Sequence, residues 1–329
     1  MKFAASLLPL TLLATPCFAQ LSEQAGLSGE VSINAGYFSS ESQFNTDGDQ
    51  KTIQTLGAPS ESDSKALILP LGNIAYTFGS NLNQQFYLGT AREDIAVGTL
   101  AFELGYKYQL PSGMVIDASF LPTVMSGETW QDPYQLGTER QTTDESGNAY
   151  RLKLENLAGT KFAVDVAYAT KEIDQEKSGV QAGLTPSQLN TLDRNADTFY
   201  LKTDYKYGID MTSMLVPRLS YIHSSAEGDA HSFTGYGVEL SYFKAIQQHQ
   251  FALTASYLKR DYDSGNLVFN GMTRDDAEYN LFAAYEHAHF LGWQNWSLIS
   301  FLGYGHSDSN IDFYDEKEYL MSMGMNYHF

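Results

Sequence analysis

Apolar and polar residues alternate with a period of two through most of the chain. Phe102, Leu104 and Tyr106 would share one face of a strand, for example, and Glu103 and Lys107 the other. Because successive side chains of a β-strand point to opposite faces, this pattern predicts strands with one apolar and one polar face. Each alternating segment lasts about ten residues, which is longer than an ordinary soluble strand and close to the length that crosses a bilayer when tilted.

Fourteen such segments can be counted in the sequence, with boundaries that a pattern fixes only to within about two to four residues. They span residues 27–38, 65–78, 83–91, 97–109, 114–124, 148–156, 161–171, 197–207, 213–224, 232–244, 249–260, 275–287, 295–305 and 317–329. Short links, such as residues 110–113 and 157–160, join alternate pairs, and the other links are mostly longer and polar. One rim of turns and one of loops is typical of a transmembrane barrel. We therefore predict an all-β, antiparallel up-and-down β-barrel of about fourteen strands, with twelve or sixteen as the alternatives.

The composition excludes several other classes of protein. The 20 Lys and Arg residues face 39 Asp and Glu residues, and the formal net charge of -19 argues against nucleic-acid binding. The single cysteine, Cys17, rules out an intrachain disulfide and a cysteine-based metal site. The mean hydropathy of -0.29 argues against a bundle of transmembrane helices, whereas the alternating strands of a membrane barrel average to such a value.

The first residues have the features of an export signal. Lys2 precedes an apolar run over residues 3–14, and Pro16 and a small-residue motif ending at Ala19 follow it. We therefore expect residues 1–19 to be a cleaved signal peptide and residues 20–329 to form the barrel. The alternatives are a buried N-terminal helix and a lipoprotein signal with Cys17 as the lipidated residue.

The last strand alternates up to a terminal phenylalanine. Its apolar positions are Tyr319, Met321, Met323, Met325, Tyr327 and Phe329. This pattern resembles the C-terminal targeting signal of Gram-negative outer-membrane proteins, which the barrel-assembly machinery recognises in that family. The resemblance implies export through the periplasm to the bacterial outer membrane, with outer-membrane lipid, lipopolysaccharide and the assembly machinery as partners. The whole chain resembles a porin-like outer-membrane barrel, and it is also similar to an uncharacterised family of proteobacterial barrel proteins without an assigned activity.

Charged residues occupy the face opposite to the apolar one, which in a barrel lines the lumen. On the middle strands they form a basic stripe of Arg151, Lys153, Lys161, Lys202, Lys206 and Arg218. On other strands they form an acidic wall of Glu30, Glu103, Asp117, Glu239, Glu278 and Glu286. Opposed charges across a lumen would orient polar solutes and modulate ion passage. The alternative is that these charges pair across neighbouring strands and stabilise the wall.

The predicted loops are rich in acidic residues, which we interpret as solvated surface or, alternatively, as binding sites for divalent cations near lipopolysaccharide. In one loop, Thr185 and Pro186 have the residue types that begin a helix, and Leu189 and Leu192 would share its apolar face. The loop is therefore expected to form either a short helix that folds into the mouth of the barrel or an exposed turn.

Together these features favour passive diffusion of small polar solutes or ions through a water-filled barrel, without a cofactor or a metal. A structural or adhesive barrel with a blocked lumen and partner-binding loops is the first alternative. The second is a lipid-modifying enzyme, although His306 and Ser309 would face opposite sides of a strand, unlike the His and Ser two residues apart in outer-membrane phospholipases. The pattern assigns no catalytic residue, names no solute and leaves the oligomeric state open.

Overall fold

The strands of the chain form one continuous antiparallel sheet. The computed structural model describes residues 21–22, 24–57, 60–90, 95, 101–122 and 127–329. The β-segments in these ranges are β1 Gly26–Glu41, β2 Ser62–Phe78, β3 Gln84–Thr90, β4 Phe102–Gln109, β5 Val115–Pro122, β6 Gly127–Trp130, β7 Thr142–Glu155, β8 Phe162–Ile173, β9 Ala196–Tyr205, β10 Tyr207–Asp210, β11 Ser213–Ala226, β12 Phe233–Ile246, β13 His249–Asn266, β14 Met272–Ala288, β15 Trp296–Ser309 and β16 Glu316–His328. The predicted signal peptide lies outside the described residues.

The sixteen segments make a closed barrel of fourteen strands, because two of the fourteen strand positions are each filled by two consecutive segments. Segments β5 and β6 both pair with β7, and β9 and β10 both pair with β11. The barrel closes where β16 pairs with β1 along its whole length. The terminal Phe329 continues this seam, since its N–H and C=O each form a 3.0 Å hydrogen bond with the backbone of Gly29. The predicted fold class and strand number are confirmed.

Several strands run further toward the loop rim than the alternation predicts. Strands β13 and β14 continue to Asn266 and Met272, so most of the expected loop 261–274 belongs to the sheet. A register shift between Asp261 and Gly265 interrupts this extension. Polar side chains tolerate solvent on both faces there, and the backbone ladder continues without an apolar face. The start predicted at residue 97 falls among residues that the structure does not describe.

The distribution of apolar residues is the reverse of that in a soluble protein. Large apolar side chains such as Ile33, Ile68 and Leu219 are 69%, 72% and 63% exposed on the outer face. Polar side chains such as Asn34 and Ser241 are fully buried on the inner face. Aromatic rings pair across strands near both rims, for example Trp296 with Tyr327 and Tyr304 with Tyr319. An apolar outer band with aromatic residues at its rims fits a lipid bilayer.

Short helices occur only in the connections within the described ranges. They are an α-helix, α1 Pro186–Leu189, and 3₁₀ turns at Leu157–Gly159, Val180–Ala182, Asn190–Leu192, Asp229–His231, Leu267–Phe269, Phe290–Gly292 and Asp312–Tyr314. Among the residues that the structure describes, no helix has the length and apolar character needed to cross a membrane.

Candidate functional site

An in-register row of alternating charges crosses the inner wall from β4 to β9. Lys107 lies opposite Asp117, Asp117 opposite Lys153, Lys153 opposite Asp165, and Asp165 opposite Lys202. We call these five residues the charge row. Directly opposed side chains on neighbouring strands are close enough to interact, and opposite charges in such pairs are stabilising.

Asp165 is the most enclosed acid of this wall, with a side chain only 2% exposed. Arg151, one strand away, donates to it from Nη2 to Oδ2 at 2.7 Å and from Nε to Oδ1 at 3.1 Å. Lys202 Nζ lies 3.8 Å from the same carboxylate, and Glu103 is 3.7 Å from Arg151 on its other side. The bidentate contact fixes the plane of the guanidinium group, so these charges are held in a defined geometry.

Three further residues of the predicted basic stripe, Lys153, Lys206 and Arg218, also lie near acids. Lys153 and Lys206 lie 3.1 Å and 3.3 Å from the two oxygens of Glu155. Arg218 is opposite Asp204 on one neighbouring strand and opposite Glu239, with which it pairs, on the other. Lys161 immediately precedes β8, where its backbone carbonyl accepts a hydrogen bond from the N–H of Lys206.

The predicted acidic wall is interleaved with basic residues. Glu103 contacts Arg151, Asp117 lies 3.5 Å from Lys107, and Glu278 pairs with Arg260. Near the turn rim, Glu30 and Glu286 lie 3.3 Å and 3.4 Å from the two ring nitrogens of His328. The two predicted sets meet in ion pairs where Glu103 contacts Arg151 and where Glu239 pairs with Arg218. The partners of the other acids named here, Lys107, Arg260 and His328, lie outside the predicted stripe. Their effect on ion selectivity stays a prediction.

An apolar row on the opposite side of the lumen was missed by the sequence argument. Met214, Phe243, Ala252, Ala284 and Phe301 lie opposite one another in register on β11 to β15. All five occupy inward positions, where alternation alone would place polar residues. The signal was present in the sequence, because Phe243 and Phe301 fall on the face that carries Glu239 and Ser297 on the same strands.

This apolar row borders a cavity of about 210 Å³ inside the barrel. Val216, Phe243 and Ala252 form a buried cluster on one side, and Ile299 and Phe301 form another with Ile95. Polar side chains complete the lining, among them Ser32, Gln250 and Asn326. Charged side chains of both signs, Lys206, Arg218, Glu30 and Glu286, also line this cavity, so the apolar row lies beside charges rather than apart from them.

The loops at the outer rim pack into a common apolar cluster, which we call the roof. Its buried residues are Ile53, Tyr134, Ile311, Phe313 and Tyr314, and its partly buried residues are Phe44, Leu56, Val268 and Phe269. They come from four connections, those following β1, β6, β13 and β15. The acidic composition of these loops gave no indication of such a core.

Buried hydrogen bonds join the loops at the centre of the roof. The hydroxyl groups of Tyr134 and Tyr314 lie 2.7 Å apart. Asn266 Nδ2 donates to both hydroxyls, at 3.2 Å and 2.9 Å, and His231 Nε2 lies 3.3 Å from that of Tyr134. Separating these groups is costly because each such hydrogen bond contributes a net gain of about 0.5–1.5 kcal/mol and because the apolar rings around them would be exposed to water.

Two arginines donate hydrogen bonds to backbone carbonyls near the roof. Arg140 donates from Nη1 to the carbonyl of Gln43 at 2.8 Å and from Nη2 to that of Gln50 at 2.7 Å. Its guanidinium group also lies over the ring of the buried Trp130, 4.3 Å from the centroid. Burial lowers the pKa of Arg140 to about 10, so it remains a cation at neutral pH. Arg194 donates to the carbonyl of Trp130 at 2.6 Å.

The predicted loop helix is present as α1. Its capping arrangement includes a 2.9 Å hydrogen bond from the N–H of Thr185 to Oε1 of Gln188. Leu192, in the turn that follows, is completely buried. A Cβ on Gly179 would approach Leu192 and Val268, the latter a residue of the roof. The predicted short helix is therefore present, with Pro186 and Ser187 exposed, and its placement in the mouth of the barrel stays a prediction.

His306 and Ser309 lie on opposite faces of β15, and His306 Nδ1 is 3.1 Å from the backbone carbonyl of Glu316. Within the described ranges, no group of three or more His, Cys, Asp and Glu side chains is arranged to hold a metal ion.

A closed barrel with an apolar outer band and a polar lumen defines the class: the protein is a bacterial outer-membrane β-barrel. Within that class, the chain belongs to the family described as "Protein of unknown function (DUF2860)", whose model matches residues 26–328. No curated protein matches it.

Solved structures with a similar arrangement are outer-membrane proteins of low sequence identity. The outer-membrane channel DcaP of Acinetobacter baumannii is 10% identical, with 94% of this chain and 99% of that chain covered and a TM-score of 0.46. The outer-membrane protein OmpT of Vibrio cholerae is 11% identical, with 94% and 100% covered and a TM-score of 0.42. OpdQ of Pseudomonas aeruginosa is 11% identical, with 92% and 98% covered and a TM-score of 0.36.

Proposed function

We propose that the protein is an outer-membrane channel for the passive diffusion of small polar solutes or ions. The observation that carries this proposal is the charge row together with its neighbour Arg151. Five charges in register on one inner wall are favourable in contact with water and costly in a dry core, where each ion must be desolvated. A hydrated wall of this kind supports a path along which polar solutes can move.

The charges also bear on which solutes pass. Lys107, Lys153 and Lys202 alternate with Asp117 and Asp165 in the row, so neither sign dominates over a long distance. A wall of this kind offers both donors and acceptors to a neutral polar solute. In this proposal the predicted basic stripe contributes to a modest selectivity, and no covalent step or cofactor is needed.

Lipid and lipopolysaccharide surround the barrel in this proposal, and the barrel-assembly machinery inserts it. The exposed C-terminal positions, with Tyr319, Met321 and Met323 between 52% and 58% exposed, support the lipid contact. Assembly through the last strand is supported by its place in the closing seam with β1.

Swelling of proteoliposomes tests the channel. Liposomes containing the refolded full-length protein are diluted into isotonic solutions of a pentose, a disaccharide and a large dextran. We expect rapid swelling in the pentose, slower swelling in the disaccharide and none in dextran, while protein-free liposomes do not respond. A complete lack of swelling in the pentose contradicts the proposal.

A structural or adhesive barrel is the second candidate function, and the roof is the observation that favours it. Tyr134, Phe313 and Tyr314 pack across the outer mouth from different loops. A permanently packed roof would present a rigid surface to partners and leave little exchange with the lumen. In this candidate paired side chains also block the lumen beneath the roof, so it predicts no swelling with the native chain and none after the roof contacts are removed.

A further inference from the structure

The apolar row has an uneven profile that forms a recess. Phe243 and Phe301 are large, whereas the two residues between them in register, Ala252 and Ala284, are small. The alanines therefore form a floor between two aromatic side walls. We call this feature the recess, and it faces the cavity of about 210 Å³ within the barrel.

The recess is enclosed on further sides by apolar groups. Val216 is 1% exposed and packs with Phe243 and Ala252. Ile299 and Phe301 are each 8% exposed and pack with Phe282 and Ala284. Apolar surface of this shape gains by excluding water, because its contact with water is unfavourable.

We propose that the recess is a binding site for the apolar ring of a small solute that passes through the barrel. An apolar cavity of roughly 150 Å³ in another protein holds a benzene molecule. The larger cavity in this barrel therefore accommodates one six-membered ring with a short substituent. The solute class is a small aromatic or alicyclic compound carrying a neutral polar group.

The polar group has partners at the edge of the same cavity. Gln250 precedes Ala252 by one inward position on β13, and Ser32 and Asn326 line the cavity from the neighbouring wall. Convergent polar side chains beside an apolar surface are the usual composition of a small-molecule site. This inference rests on the proposed channel and adds the substrate class to it.

Binding of 4-fluorobenzyl alcohol tests the recess. The probe's fluorine NMR signal is titrated against the full-length protein in lipid nanodiscs, with empty nanodiscs subtracted for partition into lipid. We expect saturable binding to the native chain. Ala252→Phe fills the floor of the recess and should weaken binding at least tenfold, whereas Ala255→Phe, on the lipid-facing side of the same strand, should leave it unchanged.

The result that overturns the inference is a titration without saturation, or equal binding by native protein and Ala252→Phe. Heat-modifiable migration in gel electrophoresis checks that each variant is folded. If Ala252→Phe fails to fold, Val216→Thr places a hydroxyl at the recess with nearly the same volume and should weaken binding severalfold. Equal binding by a folded Val216→Thr variant then contradicts the inference.

The swelling assay separates this inference from the proposed function. Swelling without probe binding contradicts the proposed binding site in the recess and supports the proposed channel. Saturable binding without swelling contradicts the proposed channel and supports an apolar binding site inside a closed barrel.

Discussion

The hydroxyl groups of Tyr134 and Tyr314 lie 2.7 Å apart and join two loops that arise several wall strands from each other in either direction around the barrel. One loop leads into β7 and the other into β16. The contact spans the outer mouth, and the aromatic residues around it make the roof a packed structure. We therefore expect access to the lumen from outside to depend on how firmly these loops hold together.

Loosening the roof should increase passage through the barrel. Tyr314→Ala removes a buried ring whose contacts include Phe44, Phe269 and Phe313, and such truncations typically cost about 3–5 kcal/mol. We expect faster swelling of proteoliposomes and faster hydrogen exchange in the loops. Tyr319→Ala on the lipid-facing side of β16 is the control and should change neither. Unaltered swelling and exchange in Tyr314→Ala would argue against a closing role for the roof.

Acidic pH should loosen the roof through His231. Burial, together with the positive charges of Arg274, Arg194 and Lys171, lowers the pKa of His231 well below its ordinary value. The closed roof therefore holds His231 neutral, whereas opened loops bind a proton below a pH of about 6.5. His231 therefore favours the closed loops above this pH, and this contribution is lost as the pH falls through it. Below it, the equilibrium constant for closing falls by up to about tenfold for each pH unit.

Hydrogen exchange of the loops between pH 7.5 and pH 5 measures this effect, after correction for the intrinsic pH dependence of exchange. We expect the protection of the loops to fall with pH in the native chain and to vary much less in His231→Gln. His223→Gln, at an exposed position of β11, should behave as the native chain does. Identical pH profiles for native protein and His231→Gln would show that another group controls the roof.

The fold could be predicted closely from the sequence, whereas much of the lumen could not. Alternation fixes which face of a strand meets lipid, and lipid contact forces apolar residues such as Leu219 onto that face. The lumen tolerates both polar and apolar residues, so Phe243 and Ala252 leave only a weak pattern. The charged residues were likewise predicted to face the lumen. The pairing of Lys107 with Asp117, however, depends on strand register, which the alternation does not specify.

The roof was not predictable for a different reason. Its residues, among them Ile53, Tyr134 and Phe313, come from loops far apart in sequence. Each loop contributes only one to three residues to the roof, too few to give the periodicity of a core element. Only the closure of the barrel brings these side chains together.

Removing the negative charge of Asp165 should shift ion selectivity toward anions. Asp165→Asn leaves Arg151 and Lys202 with less compensation. Breaking such an enclosed pair also destabilises a protein by about 3–5 kcal/mol. Reversal potentials in a salt gradient should move toward the chloride potential, whereas Asp229→Asn in an exposed loop should leave them in place.

The reverse substitutions Arg151→Glu, Lys153→Glu and Lys202→Glu should shift selectivity toward cations. Reversal potentials that stay fixed in every variant would exclude the charge row from the conducting path.

Deleting Phe329 should impair assembly more than it impairs the finished barrel. The residue forms two 3.0 Å backbone hydrogen bonds with Gly29 at the closing seam, and its ring is 43% exposed toward lipid. We expect severalfold less protein in the outer membrane, measured as the heat-modifiable species. Phe251→Ala, a lipid-facing aromatic near the same rim, should reduce it far less. Equal yields from the two variants would contradict a special role for the terminal residue.

Single-channel recording is the most direct test of the central claim that the barrel conducts. The purified, refolded full-length protein is added to a planar lipid bilayer under an applied voltage, and the current is compared with that of a heat-denatured sample. A conducting barrel gives discrete, reproducible current steps that become larger or more frequent in Tyr314→Ala. A bilayer that stays silent with both the native chain and Tyr314→Ala, although both proteins are folded and inserted, contradicts the channel.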